Sequence, residues 1–290
     1  MSPTLSTSGL LDIVVPTPLG RRPARLGFRR LGDPQQAEKI LLVHGAGQAQ
    51  EAWPGQYGLS QVADTVAVDL LGFGASETPP HAESVVPAQV AVILAVLDRL
   101  RWRQATLVGY SMGGAITLLT ALQAPRRVGR IVLIAGAALV QPVPISFKFL
   151  SMPGAAQALW AASNLARWTG LDGELGTFWS FDDETGRRMV AAQCRLGHDR
   201  AFASAARQLK PRHYGHTARF YERLTQPALL LYGTADHLVP IDVGRRLVHL
   251  LPNAELVEFP GEGHLLHERP GNRIAERITE FIGRTRPGLR

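Results

Sequence analysis

Residues 109–114 read Gly-Tyr-Ser-Met-Gly-Gly and contain a Gly-x-Ser-x-Gly pattern centred on Ser111. The apolar run 105–108 before them predicts a strand, and residues 112–123 after them predict a helix. A serine on so sharp a strand-to-helix turn has its hydroxyl exposed above the sheet. Gly109 and Gly113 allow the strand and the helix to approach each other closely, because neither carries a Cβ atom. The stretch therefore predicts a nucleophilic serine.

Apolar runs alternate with helix-like segments along most of the chain. The predicted strands are residues 39–43, 65–68, 105–108, 130–134, 228–232 and 255–259, and the predicted helices are about 84–100, 112–123, 241–251 and 270–284. The inner runs lack polar alternation, which is typical of parallel strands buried on both faces. The alternation predicts an α/β fold, a mostly parallel twisted sheet with helices on both faces. Residues 25–30 alternate in polarity and predict an additional antiparallel edge strand.

The alternation stops between residues 141 and 221. Two prolines, Pro142 and Pro144, end the strand-bearing part, and the residues after them are helical in pattern and rich in alanine. The aromatic residues of this segment are Trp160, Trp168, Phe178, Trp179, Phe181 and Phe202. We interpret the segment as an inserted helical cap over the carboxyl edge of the sheet, where open α/β sheets bind their ligands. The chain then divides into a core, residues 1–140 and 222–290, and a cap, residues 141–221.

Two later turns supply the acid and the base that a serine nucleophile needs. A serine hydroxyl is a poor nucleophile unless a base accepts its proton and a third group orients that base. Asp236 directly follows a predicted strand, and we favour it over Asp242, which lies within the next helix. His264 lies on a glycine-rich loop after the last strand, and we favour it over His267. The order nucleophile, acid, base predicts Ser111, Asp236 and His264 as a catalytic triad.

The glycine-rich loop 44–47, His-Gly-Ala-Gly, comes after another predicted strand. Small residues there allow backbone N–H groups to approach a ligand and to stabilise a developing oxyanion. We predict the amides of Ala46 and Met112 as the two donors. His44 is expected to brace the loop rather than to take part in the chemistry.

The composition excludes several other kinds of function. The formal net charge is +7, but the arginines are scattered and form neither the dense stripe nor the module of a nucleic-acid-binding protein. Cys194 is the single cysteine, so the chain has no internal disulfide, and no Cys/His cluster indicates a metal. The apolar runs are shorter than a membrane span, and we expect no signal peptide, because Asp12 and Pro16 interrupt the short apolar stretch near the N-terminus. We therefore expect a cytoplasmic protein that needs no metal or organic cofactor and binds no nucleic acid or membrane, and whose partner is a small-molecule substrate. The oligomeric state stays open.

With these elements in place, the chain resembles the α/β-hydrolase superfamily over nearly its whole length. The turn of Ser111, the turn of Asp236 and the loop of His264 come in the order of that family. The resemblance also includes residues 69–76, similar to a structural loop of the family, and residues 264–270, similar to its usual ending. It implies the α/β-hydrolase fold, with residues 141–221 in the place of the cap. A serine at position 111 argues against the branches of the family that use an aspartate there.

The resemblance implies a small serine esterase-like hydrolase that cleaves a carboxylic ester, lactone or thioester of modest size through an acyl-enzyme. The predicted substrate contacts are Trp53, Tyr110, Trp160, Trp179 and Leu265. Carbon–carbon bond hydrolases of aromatic degradation are similar around Ser111, but they usually carry tryptophan where this chain has Leu265 and a polar residue where it has Tyr110. Three alternatives stay open: a carbon–carbon bond hydrolase, a cofactor-free perhydrolase, and a non-enzymatic small-molecule receptor or scaffold that retains the triad.

Overall fold

The computed structural model describes residues 6–17, 20–78, 86–138, 152, 154–171, 198–208 and 215–285. These residues form an eight-stranded sheet in the order β1-β2-β4-β3-β5-β6-β7-β8. The strands are β1 Ser6–Thr17, β2 Gly20–Leu31, β3 Lys39–Val43, β4 Asp64–Val68, β5 Ala105–Tyr110, β6 Val128–Ile134, β7 Ala228–Gly233 and β8 Ala254–Phe259. The first two strands pair in antiparallel fashion, as do β2 and β4, and all later neighbours are parallel. The predicted fold class is confirmed.

Helices cover both faces of this sheet. They are α1 Val86–Arg99, α2 Met112–Gln123, α3 Ala155–Thr169, α4 His198–Gln208, α5 Gly215–Ala218, α6 Ile241–Leu250 and α7 Ile274–Arg284. Side chains alternate between the faces along each strand, so Leu41 and Val43 of β3 belong to the hydrophobic cluster on the face covered by α1, α2 and α6. Ile40 and Leu42 of the same strand pack on the other face, with α7 and the 3₁₀ helix Pro54–Gln61.

The N-terminal part of the sheet differs from the prediction, because residues 25–30 do not form the edge. They belong to β2, which pairs over its full length with β1, from Ser6 opposite Leu31 to Thr17 opposite Gly20. Leu11, Ile13 and Val15 of β1 are buried against the core, as a half-buried strand requires. The exposed neighbours Leu10 and Val14 are also apolar and hide this alternation in the sequence.

Ion pairs join chain segments at the end of the sheet remote from Ser111, where the parallel strands begin. Asp64, whose side chain is fully buried, accepts two hydrogen bonds from Arg30, at 2.8 and 2.6 Å, and one from Lys39 at 3.1 Å. Arg130 of β6 forms a second pair with Glu38 at 3.0 Å. Both pairs join neighbouring chain segments, so they fix the strands at the end remote from the nucleophile.

The predicted cap segment is described only in part. Its described portions are helical and comprise α3, α4 and α5. Trp179 lies outside the described residues, and the side chain of Trp160 is outside them as well. The division at residues 141 and 221 stays a prediction. Of the helices in the described ranges, none combines the length and the apolar character needed to cross a membrane.

Candidate active site

Ser111 lies at the junction of β5 and α2 in a strained backbone conformation. Its φ is 50° and its ψ is −119°, a combination that costs energy in a residue with a Cβ atom. The surrounding backbone holds it there: the Ser111 amide donates to Ile134 O at 3.1 Å, and Ser111 O accepts from the amides of Gly114 at 2.9 Å and Ala137 at 2.8 Å. The strain is therefore maintained by hydrogen bonds from both sides of the turn.

Three glycines make this turn possible because other chain segments occupy the space of a side chain. A Cβ atom on Gly109 would lie 2.4 Å from the carbonyl oxygen of Gly113, and one on Gly113 would lie 2.0 Å from the oxygen of Val43. The predicted reason for both glycines is thus confirmed. A Cβ atom on Gly45 would lie 2.9 Å from the Cβ of Ser111, so the loop after β3 lies directly against the serine.

The structure brings Ser111, His264 and Asp236 together in one hydrogen-bonded chain. His264 Nε2 lies 3.0 Å from Ser111 Oγ, and His264 Nδ1 lies 2.8 Å from Asp236 Oδ2. In a neutral imidazole one nitrogen donates and the other accepts. Because a carboxylate can only accept, Nδ1–H donates to Asp236, and Nε2 is left to accept the serine proton.

Asp236 is fixed in its orientation by the turn on which it lies. Its side chain is fully buried, and Oδ1 accepts hydrogen bonds from the amides of Leu238 at 2.8 Å and Val239 at 2.9 Å. A buried polar oxygen requires hydrogen-bond donors, and these two amides supply them to Oδ1. Since Oδ1 is occupied by two amides, Oδ2 is directed at His264.

The loop that carries His264 folds back over the end of β7. The Ala235 amide donates to Glu262 O at 2.9 Å, and the Gly261 amide donates to Thr234 Oγ1 at 2.9 Å. A Cβ atom on Gly233 would lie 2.2 Å from Glu262 O, so the close approach of the two loops requires glycine there. Gly261 has a φ of +74°, which glycine adopts without strain. These contacts bring the histidine to the aspartate.

The two alternative candidates for the acid and the base, Asp242 and His267, lie outside this chain of hydrogen bonds. Asp242 is exposed on α6 and pairs with Arg245 at 3.5 Å. The imidazole of His267 is buried, with its ring centroid 4.2 Å from that of Tyr110 and 5.5 Å from that of Trp53. Neither residue takes part in the chain of hydrogen bonds that ends at Ser111.

His44 braces the loop after β3, as its sequence context predicts. The Leu70 amide donates to His44 Nε2 at 2.9 Å, so Nε2 carries no proton and Nδ1–H donates to Gly45 O at 2.7 Å. Burial lowers the pKa of His44, against the opposing charge of Asp69, and keeps the ring neutral. The ring thereby joins the loop after β3 to the loop after β4.

The two predicted oxyanion donors come from different segments, the start of α2 and the loop after β3. Met112 is the first residue of α2, where backbone N–H groups have no acceptor within the helix and the helix dipole favours negative charge. Ala46 is next to Gly45, the residue that lies against Ser111. Both amides therefore belong to segments that meet at the serine, and their role as donors stays a prediction.

The predicted substrate contacts have different environments. Trp53 is fully buried in the core, Tyr110 is 2% exposed with its ring 5.1 Å from that of His264, and Leu265 is half-buried. Substrate binding by these residues, and by Trp160 and Trp179, stays a prediction.

Phe202 of α4 was not among the predicted site residues, although the sequence placed it among the aromatic residues of the insertion. Its side chain is buried and packs against Ala46 and against Leu159 of α3. The inserted helices therefore touch the loop that carries a predicted oxyanion donor. The aromatic residue itself was visible in the sequence, but its partner was not.

Two buried tyrosines hold the loop after β6, which also contacts Ser111. Tyr232 Oη donates to Gly136 O at 2.7 Å, and Tyr221 Oη donates to Ala138 O at 2.8 Å. Burial raises the pKa of both hydroxyls, so each keeps the proton that it donates. Ala137, between the two acceptors, donates its amide to Ser111 O. The tyrosines thus position the nucleophile indirectly.

Comparison with known proteins identifies the family and the fold of the chain. The model of the alpha/beta hydrolase family matches residues 40–277. A 2-hydroxymuconate semialdehyde hydrolase of Pseudomonas putida is 28% identical over 275 residues, which are 91% of this chain and 94% of the relative. Two crystal structures share the fold. A meta-cleavage product hydrolase of Pseudomonas fluorescens has a TM-score of 0.76 at 22% identity and covers 95% of this chain and 98% of its own. An enol-lactonase of Burkholderia xenovorans has a TM-score of 0.72 at 21% identity and covers 90% and 97%. The chain belongs to the alpha/beta hydrolase family.

Proposed function

We propose that the protein is a serine hydrolase that cleaves a small, partly apolar carboxylic ester, lactone or thioester through an acyl-enzyme. The observation that carries the proposal is the continuous chain of hydrogen bonds from Asp236 through His264 to Ser111. The 3.0 Å separation of His264 Nε2 from Ser111 Oγ is within the range for proton transfer to a general base.

The proposed reaction begins with attack of Ser111 Oγ on the carbonyl carbon of the substrate. His264 Nε2 accepts the serine proton, and Asp236 stabilises the imidazolium without becoming protonated. His264 then gives this proton to the leaving alcohol or thiol, and the acyl group stays on Ser111. In the second half, a water molecule loses a proton to His264 and attacks the acyl carbon. The bond between the acyl carbon and Ser111 Oγ then breaks, and His264 returns the proton to Oγ, which releases the carboxylic acid and restores the serine.

Negative charge on the carbonyl oxygen would be stabilised by the amides of Ala46 and Met112. A preorganised pair of N–H donors contributes most where water is excluded, because the local dielectric constant is low there. Phe202 supports such exclusion, since it packs directly on Ala46. We propose that residues 141–221 act as a cap and that Phe202 is the contact by which this cap shields the oxyanion loop.

A carbon–carbon bond hydrolase that acts on a meta-cleavage product is the second candidate. It is favoured by the names of the relatives, among them the 2-hydroxymuconate semialdehyde hydrolase of Pseudomonas putida. Tyr110 and Leu265 favour the ester or lactone, because they stand where carbon–carbon bond hydrolases usually carry a polar residue and a tryptophan. The same three side chains would serve either reaction, so the substrate distinguishes them.

The test compares the two substrate classes on one protein preparation. Hydrolysis of p-nitrophenyl acetate, p-nitrophenyl butyrate and a γ-lactone would be measured beside loss of 2-hydroxymuconate semialdehyde. We expect ester or lactone turnover to dominate in kcat/KM, and a fluorophosphonate to label Ser111 alone. Preferential cleavage of the semialdehyde would select the second candidate. Labelling and turnover that survive in Ser111→Ala would refute both.

A further inference from the structure

A basic cavity lies at the end of the sheet where the parallel strands begin, which is the end remote from the proposed active site. It has a volume of about 740 Å³ and is formed by the segments that lead into β5 and β6. Four arginines line it together with one acid and one aromatic residue: Arg101, Arg103, Arg126, Arg127, Asp98 and Trp102. Ser111 lies just past the far end of β5, a strand of six residues, so roughly 20 Å of sheet separates the cavity from the nucleophile.

Arg127 links the chain segments that form the cavity. Arg127 Nη1 pairs with Asp98 at 2.7 Å, Nε donates to Arg103 O at 3.1 Å, and Nη2 donates to Trp102 O at 3.1 Å. These three contacts join the segment before β6 to the end of α1 and to the segment before β5. The only acid of the cavity lining is therefore already paired with Arg127, within the part of the chain that the structure describes.

The other three arginines supply charge without a carboxylate partner. Arg101, Arg103 and Arg126 are exposed, and among the described residues none of them forms an ion pair with an acid. Arg101 has a φ of 57°, an unusual conformation for a residue with a side chain, and Arg127 holds the backbone next to it. Three like charges around one cavity repel one another, so an anion that enters the cavity gains their combined attraction.

We propose that this cavity binds a small soluble anion that carries at least two phosphate groups. The guanidinium fork matches phosphate oxygens in geometry, and a charge of about +3 exceeds what a single phosphate of about −1.5 to −2 neutralises. Trp102 is buried, so its ring offers no open face on which a base could stack. Recognition therefore rests on charge and phosphate geometry. The site is separate from the proposed catalysis and does not depend on it.

The test is isothermal titration of the full chain with inorganic pyrophosphate, with orthophosphate as the weaker-binding comparison. We expect one saturable site and a loss of affinity of about 10-fold or more in Arg101→Gln/Arg126→Gln, because each removed guanidinium takes away charge-assisted hydrogen bonds. Arg21→Gln/Arg246→Gln removes the same charge from exposed positions elsewhere and should change the affinity less than about 2-fold, as expected for remote charges screened by salt. Ser111→Ala should bind pyrophosphate like the wild type.

Three outcomes would overturn the proposal. The first is absence of saturable binding by the wild type. The second is an equal loss of affinity in the two double variants, which would indicate attraction by net charge alone. The third is loss of binding in Ser111→Ala, which would move the anion to the other edge of the sheet. Thermal melting of each variant checks that the fold is intact, because surface arginine substitutions of this kind should change the melting temperature little.

Discussion

The strained backbone of Ser111 predicts that glycine is more stable than alanine at this position, the reverse of their usual order. Ser111→Ala and Ser111→Gly both lose the hydroxyl and its contact with His264. They differ only in the Cβ atom, which is responsible for the strain at a φ of 50° and a ψ of −119°. The comparison therefore isolates the energetic cost of presenting the nucleophile.

The difference in stability between Ser111→Gly and Ser111→Ala results from two opposing effects. A side-chain-bearing residue in such a conformation costs about 1–3 kcal/mol, which glycine avoids. Glycine loses more conformational entropy on folding, about 0.5–1 kcal/mol relative to alanine. The difference between the middles of these two ranges is about 1.3 kcal/mol, and we expect Ser111→Gly to exceed Ser111→Ala in unfolding free energy by about this amount.

Urea denaturation of both variants measures this difference, since a change in the midpoint at constant slope reports a change in stability. Ala91→Gly in the interior of α1 is the control, because glycine costs about 1 kcal/mol relative to alanine in a helix interior. The reasoning is refuted if Ser111→Gly is as stable as Ser111→Ala or less stable, while Ala91→Gly is destabilised as expected.

Three further results are expected. Asp236→Asn should lower kcat by about 10⁴, because the amide favours the wrong imidazole tautomer, whereas Asp242→Asn should be mild; the reverse order in ester kinetics would contradict the proposed triad. Phe202→Ala should change the preference among acyl chain lengths, mainly through KM, and Trp168→Ala, at a residue 86% exposed, serves as the control; identical chain-length profiles would exclude the role of Phe202. His44 has a lowered pKa in the folded protein, so below about pH 6.5 the unfolded chain binds the extra proton and stability falls as the pH falls. As the pH falls from about 7 to 5, the urea midpoint should therefore decline more steeply in the wild type than in His44→Asn. An equal decline of the midpoint in the two proteins would count against a buried neutral imidazole.

Local patterns in the sequence determined the parallel sheet and the order of the three proposed catalytic residues. The five strands from β3 to β7 are short apolar runs whose burial on both faces requires no knowledge of their neighbours. Ser111 and Asp236 each come just after such a run, and parallel strands bring their carboxyl ends to one edge. This rule favours Asp236 over Asp242, and Asp236 is the carboxylate that lies within hydrogen-bond distance of His264, whereas Asp242 pairs with Arg245.

Only the tertiary structure decided which distant segments meet. Strand β1 becomes recognisable through its pairing with β2, because apolar residues on its exposed face hide the alternation. The contact of Phe202 with Ala46 joins residues 156 positions apart, and no local pattern encodes it. Four of the arginines that look scattered along the chain line one cavity, since the segments before β5 and β6 are neighbours in the sheet. Hydrophobic periodicity reports burial along one element, whereas side chains from different elements meet only after strand order and packing are set.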